Sequence, residues 1–211
     1  MKKHSCLATA FCLFLAGVVC AQSPISDDFD DGLGSQWTFV TIGNGPTKDG
    51  APSVGGLEVV NGQLHLSSNG WNVWEDQDAM AFLYQEVKGD FDVLVRAVSF
   101  DGRLDGDPNA PNNTPPNGGN EWEKAGILFR QGVKPEAPYV SVILSRSYGF
   151  RTQYRLTPAE ETKRAWRGND GSGPKAGWWV RLTRTGDQFL QRTVLVEQNI
   201  WQGILFCPNC F

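Results

Sequence analysis

Histidine, basic runs and helical periodicity are what this chain lacks. Only His4 and His65 occur among 211 residues, and no cluster of Lys and Arg interrupts a formal charge of −4. Without a basic stripe there is no electrostatic footprint for nucleic acid, so nucleic acid is excluded as a partner. Cysteine is scarce where it would matter. Cys6, Cys12 and Cys20 fall near the start, leaving Cys207 and Cys210 in Cys-Pro-Asn-Cys. With one histidine beyond the start, the four ligands of a structural zinc site cannot be assembled from Cys and His. The pair reads as a local disulfide or two thiols. No segment sustains a 3.6-residue apolar period, so no helical layer is expected.

The longest apolar run is at the beginning. Cys6 to Ala21 is apolar apart from Thr9, follows Lys2 and Lys3, and ends in Val19-Cys20-Ala21. A basic start, a short apolar stretch and small residues before a cut describe a secretory signal peptide over residues 1–21. The run is short of the ~20 residues a membrane span needs. A lipid anchor at Cys20 fits less well, because Val19 is bulky. The mature chain, residues 22–211, is then expected outside the cytoplasm: secreted, periplasmic or at the cell surface, with no membrane segment. Losing two lysines leaves it at a charge of −6.

What the chain does have is strand alternation. From Ala79 to Phe100 it reads as two strands around a turn at Lys88-Gly89-Asp90. In the second, Phe91, Val93, Val95 and Ala97 share an apolar face, and Asp92 and Arg96 share the other and are expected to pair. Asn61-Gly62, between Leu57–Val60 and Gln63–Leu66, predicts a tight hairpin. Further strands are expected at Trp37–Val40, Trp122–Arg130, Tyr139–Ser145, Phe150–Leu156 and Trp178–Thr183, the last ending in a turn at Thr185-Gly186-Asp187. Polar loops are expected at Asn44–Ser53, Asn69–Asp78, Asp101–Glu121 and Glu160–Pro174. Short strands between Gly- and Pro-rich turns indicate one all-β, two-sheet antiparallel domain.

Several of these runs resemble a known family. Asp28-Phe29-Asp30, Asp78 to Gln85, Gly89-Asp90-Phe91-Asp92-Val93, Trp122 to Arg130 and Trp179 to Arg184 are similar to bacterial concanavalin A-like domains related to the regulation-of-enolase type, over roughly residues 26–189. The resemblance implies a jelly-roll sandwich, often exported and often attached to carbohydrate-active enzymes. Residues 190–211 depart from the family pattern. A missing closing strand would leave its neighbour unpaired; a divergent last strand through Val194 and Val196 is the alternative.

On function, the leading expectation is a non-catalytic carbohydrate-binding or cell-surface module for a polysaccharide or other glycan. Trp71 and Trp74 sit in a polar loop and Trp122 begins a strand; flat aromatic rings stack on the apolar faces of sugars. Arg130, Arg151, Gln153 and Arg155 occupy the positions alternate to the core residues and would give one sheet face an outward polar lining. A glycoside hydrolase or lyase is the second expectation, with Glu121 and Glu123 the nearest carboxylates; the Glu-x-Asp-x-x-Glu arrangement of sandwich glucanases is missing. A protein-interaction domain is the third. No cofactor is required. Calcium is the one candidate ion, at Asp28 and Asp30 with their neighbours Asp27 and Asp31, or at Asp101, Asp105 and Asp107.

Overall fold

The structure, a computed structural model, describes residues 26–45, 47–98, 123–145, 149–167, 178–195 and 200–206. All regular elements among them are strands: β1 (Thr38–Ile42), β2 (Gly55–Val60), β3 (Gln63–Ser68), β4 (Val73–Trp74), β5 (Gln77–Asp78), β6 (Met80–Tyr84) and β7 (Phe91–Ala97), then β8 (Lys124–Arg130), β9 (Tyr139–Ser145), β10 (Gly149–Arg155), β11 (Lys163–Arg167), β12 (Trp178–Thr185), β13 (Gln188–Leu195) and β14 (Ile200–Phe206). None of the described residues forms a helix long and apolar enough to cross a membrane. Residues 1–21, expected as a signal peptide, and Glu121, Trp122, Asp101, Asp105, Asp107, Cys207 and Cys210 lie outside the described residues.

Two four-stranded antiparallel sheets dominate, ordered β11-β10-β9-β8 and β14-β13-β12-β7. Alternation explains how they meet. Val140, Val142, Leu144 and Phe150 leave one sheet on the same side and pack with Val180, Leu182 and Phe189 from the other. Phe91, Phe129 and Phe189 close one part of this core, with ring centroids 5.1 to 6.3 Å apart. The Arg184 guanidinium lies 5.3 Å above the Phe129 ring. Leu182 has no exposed surface. Leu182→Ala is therefore expected to cost about 2–5 kcal/mol, read as a lower urea midpoint at unchanged m-value.

Three two-stranded ladders complete the fold: β1 with β6, β2 with β3, and β4 with β5. Asn61 and Gly62 both have positive φ, 51° and 68°, as a two-residue turn of the β2–β3 hairpin requires. A second cluster forms from Ile42, Val73, Met80 and Tyr139, with Val40, Phe82 and Leu128 against it. The face of β8 and β9 turned away from the main core is thus covered by β1, β4 and β6 instead of meeting water.

Four expectations are corrected. First, the strands on either side of Lys88-Gly89-Asp90 do not pair: β6 joins β1 and β7 joins β12. Gly89 does turn the chain, at φ 73°, but Met80 belongs to the second cluster and Phe91 to the main core. Val95, expected to face the core, stays 44% exposed because β7 is the edge of its sheet. Second, Asp92 pairs with Arg181 of the neighbouring strand, not with Arg96. Third, the stretches 69–78 and 160–174 contain β4, β5 and β11. Fourth, β12 is not left unpaired: β13 lies beside it, with Val194 opposite Trp179, and β14 pairs β13.

Candidate functional site

The positions expected to form an outward polar face do share a face, but it is buried. Arg155 is 1% exposed, Arg151 and Gln153 are 3% exposed, and the Arg130 side chain is equally covered. The cause is the β4–β5 hairpin, whose last residue supplies the missing charge. Asp78 Oδ1 accepts from Arg155 Nη2 at 2.8 Å, and its Oδ2 accepts from Arg155 Nη1 at 3.1 Å and also from Arg130 Nη1. This is a bidentate pair with a second guanidinium at its side.

Each remaining nitrogen of the two guanidinium groups donates to a carbonyl or hydroxyl. Arg155 donates to Glu75 O, Pro135 O, Ala137 O, Glu160 O and Thr162 Oγ1. Arg130 donates to Gly132 O and Lys134 O. Both guanidiniums lie over the Tyr139 ring, at 5.2 and 5.9 Å. The Tyr139 hydroxyl bonds Thr162 Oγ1, and burial, with Asp78 nearby, holds its phenol well above the ordinary range. Arg130 and Arg155 are consequently spoken for. They pin the hairpin and the loops around residues 131–138 and 156–162 to the sheet and are not offered to a ligand.

Next to this cluster, on the same face, stands Trp74. Its ring has Lys124 Nζ 5.5 Å and the Arg164 guanidinium 5.6 Å from the centroid. Lys124 Nζ also donates to Asn72 Oδ1 and Val73 O, both at 2.9 Å. Burial pushes the Lys124 ammonium down to about 8, against the opposing pull of Asp78. Strand register sets the floor. Lys124 lies opposite Ser145; Leu128, Ser141 and Gln153 lie in one row, and Gly126, Ile143 and Arg151 in the next. Arg151 donates to Phe150 O, and the buried Gln153 Oε1 accepts no hydrogen bond. A buried, unsatisfied acceptor on a polar floor is uncommon and marks a place where a donor would be welcome. Open depressions among the described residues lie beside Asp28 and beside Val54.

The remaining candidates are dispersed. Trp71 is half-buried and its N–H donates to Asn44 O. Asp28 and Asp30 are exposed; Asp28 Oδ1 accepts from the Asp30 N–H at 3.2 Å. Asp30 leans on the β2–β3 turn, where a Cβ at Gly62 would come 2.3 Å from its Oδ1. The neighbouring Asp27 carboxylate takes the Trp37 indole N–H at 2.7 Å, which holds it below the usual carboxylate range. No group of three or more His, Cys, Asp or Glu among the described residues is placed to hold a metal ion.

Sequence reasoning did not single out Lys124 and Arg164, the two cations beside Trp74. Lys124 had a signal: it shares strand parity with Arg130, six residues on. No family model matches the chain, and no curated protein or solved structure matches it.

Proposed function

We propose that the chain is an exported, non-catalytic carbohydrate-binding module with a concanavalin A-like jelly-roll fold, and that its ligand is an acidic polysaccharide. The observation that carries this reading is Trp74, a half-buried indole held between two cations above a polar sheet face. An indole offers a flat apolar surface to a sugar ring. Lys124 and Arg164, both over the ring at 5.5 and 5.6 Å from its centroid, add positive charge, which favours uronate or sulfated sugars over neutral ones, although the chain as a whole is acidic. In this reading Trp74, Lys124 and Arg164 contact the glycan, and Arg130 and Arg155 act only by holding the hairpin.

The test is titration of alginate, polygalacturonate and a neutral β-glucan into the mature chain by calorimetry, with and without calcium. The acidic polymers are expected to bind, with Trp74→Ala weakening them at least about tenfold, a loss of the stacking contact worth 1–2 kcal/mol. The melting temperature should move little. Equal binding by Trp74→Ala, or no binding by either acidic polymer, overturns the proposal.

A further inference from the structure

The side of β7 away from β12 carries no strand among the described residues. Edge strands are commonly blunted by charged side chains, proline or a bulge. β7 has no proline and no bulge, and its charges are one of each sign: its sequence is Phe-Asp-Val-Leu-Val-Arg-Ala, and its register with β12 is unbroken. Leu94 is 48% exposed on one face and Val95 44% exposed on the other. Asp92 and Arg96, both exposed, flank Leu94 at equal distances along the strand.

That symmetry has a consequence for self-pairing. Run antiparallel against itself about Leu94, β7 places Leu94 opposite Leu94, Val93 opposite Val95, and Asp92 opposite Arg96 twice. Other registers lose this match. A shift of two residues sets Asp92 or Arg96 opposite Leu94, and a shift of four sets Asp92 against Asp92 or Arg96 against Arg96. An odd shift turns the solvent face of one copy towards the core side of the other. The edge strand β8 behaves differently: paired with itself about Ile127, it would bring Lys124 opposite Arg130, two like charges.

We propose that two copies of this chain associate through antiparallel β7–β7 pairing about a two-fold axis at Leu94, continuing the β14-β13-β12-β7 sheet into its counterpart. The partner is chosen by charge complementarity: Asp92 and Arg96 of one copy meet Arg96 and Asp92 of the other. Asp92 keeps its bonds to Arg181 and Thr183 in doing so. The exposed Val95 is covered by Val93 of the second copy.

The test uses the mature chain with Cys207→Ser and Cys210→Ser, so that introduced thiols are the only ones. Residues directly opposite across an antiparallel pair have Cβ atoms about 4.5–5.5 Å apart, near enough for a disulfide after a small adjustment. Leu94→Cys is expected to give a covalent dimer under mild oxidation. Arg96→Cys, which faces Asp92, is expected to give little. Sedimentation of the unmodified chain should show a monomer–dimer equilibrium, and Arg96→Asp should raise its dissociation constant at least about tenfold by setting like charges together. A chain that remains monomeric at high concentration overturns the proposal. So does equal cross-linking at Leu94→Cys and Arg96→Cys, or association unchanged by Arg96→Asp, which would direct attention to another edge.

Discussion

Asp78→Ala is expected to remove about 3–5 kcal/mol of stability. The carboxylate is fully covered and faces two covered guanidiniums, those of Arg130 and Arg155. Its removal leaves two like charges in a region of low dielectric with no anion. The carbonyls of Glu75, Pro135, Ala137 and Glu160 still solvate Arg155, which is why the expected loss is several kcal/mol and not the far larger ideal cost of burying an ion. Since domains of this size are stable by only about 5–15 kcal/mol, the variant should melt roughly 6–20 °C below the parent. Asp78→Asn separates charge from shape: it keeps the size and loses the anion, so it should fall close to Asp78→Ala. Arg130→Met removes the lesser partner and leaves the bidentate pair intact, so its cost should be smaller. Urea unfolding followed by tryptophan fluorescence reads all three. An Asp78→Ala midpoint equal to that of the parent would refute the role assigned to the cluster.

The same residues show why part of the fold was legible and part was not. The β2–β3 hairpin could be read because Asn61-Gly62 fixes its own turn, whatever lies around it. The bounds of β9, Tyr139–Ser145, match the alternating run in the sequence. Partner choice was another matter. β6 and β7 are neighbours in sequence and carry a turn between them, yet each is claimed by a different core. Alternation says which residues share a face and is silent about which strand comes to lie beside them. β4 and β5 are two residues each, too short for any period to appear. β11 reads Lys-Arg-Ala-Trp-Arg, and its pairing with β10 shifts register between Thr152 and Gln153, so regular alternation was never there to be read.

The site failed in a more instructive way. Arg151, Gln153 and Arg155 do lie on one face, as their parity requires, and polar residues on a sheet face ordinarily look into water. What covers Arg155 is recruited from 77 residues earlier, through its bond to Asp78. A long-range ion pair leaves no local pattern, and its acid stood in view only as one of several in a polar stretch. Trp74 was identified from its setting in that stretch. The cations beside its ring come from β8 and β11, at sequence distances that only the assembled sheet brings together.

Lys124 gives the second large effect, and its sign is opposite to that of a stabilising ion pair. Its ordinary value of 10.5 falls to about 8 in the folded chain, chiefly through burial. Below pH 8 both the folded and the unfolded chain hold the proton, and the folded chain bears the full cost of a buried ammonium. Between pH 8 and 10.5 the unfolded chain binds more protons than the folded one, so stability rises with pH. The total rise is of order 3 kcal/mol, from about 1.4 kcal/mol for each pH unit between the two values. Lys48 and Lys163 are raised by their acidic partners and Tyr139 is raised by burial, so their contributions decline only above about pH 10. Urea midpoints between pH 7 and 10 should therefore climb in the parent and stay level in Lys124→Met; parallel curves would sink the assignment. Binding should move the other way. As Lys124 loses its charge beside Trp74, the affinity for an acidic glycan should fall over the same interval in which the fold becomes more stable. A fall in binding that accompanies a gain in stability cannot come from unfolding, and its absence in Lys124→Met would place its origin at this one ammonium.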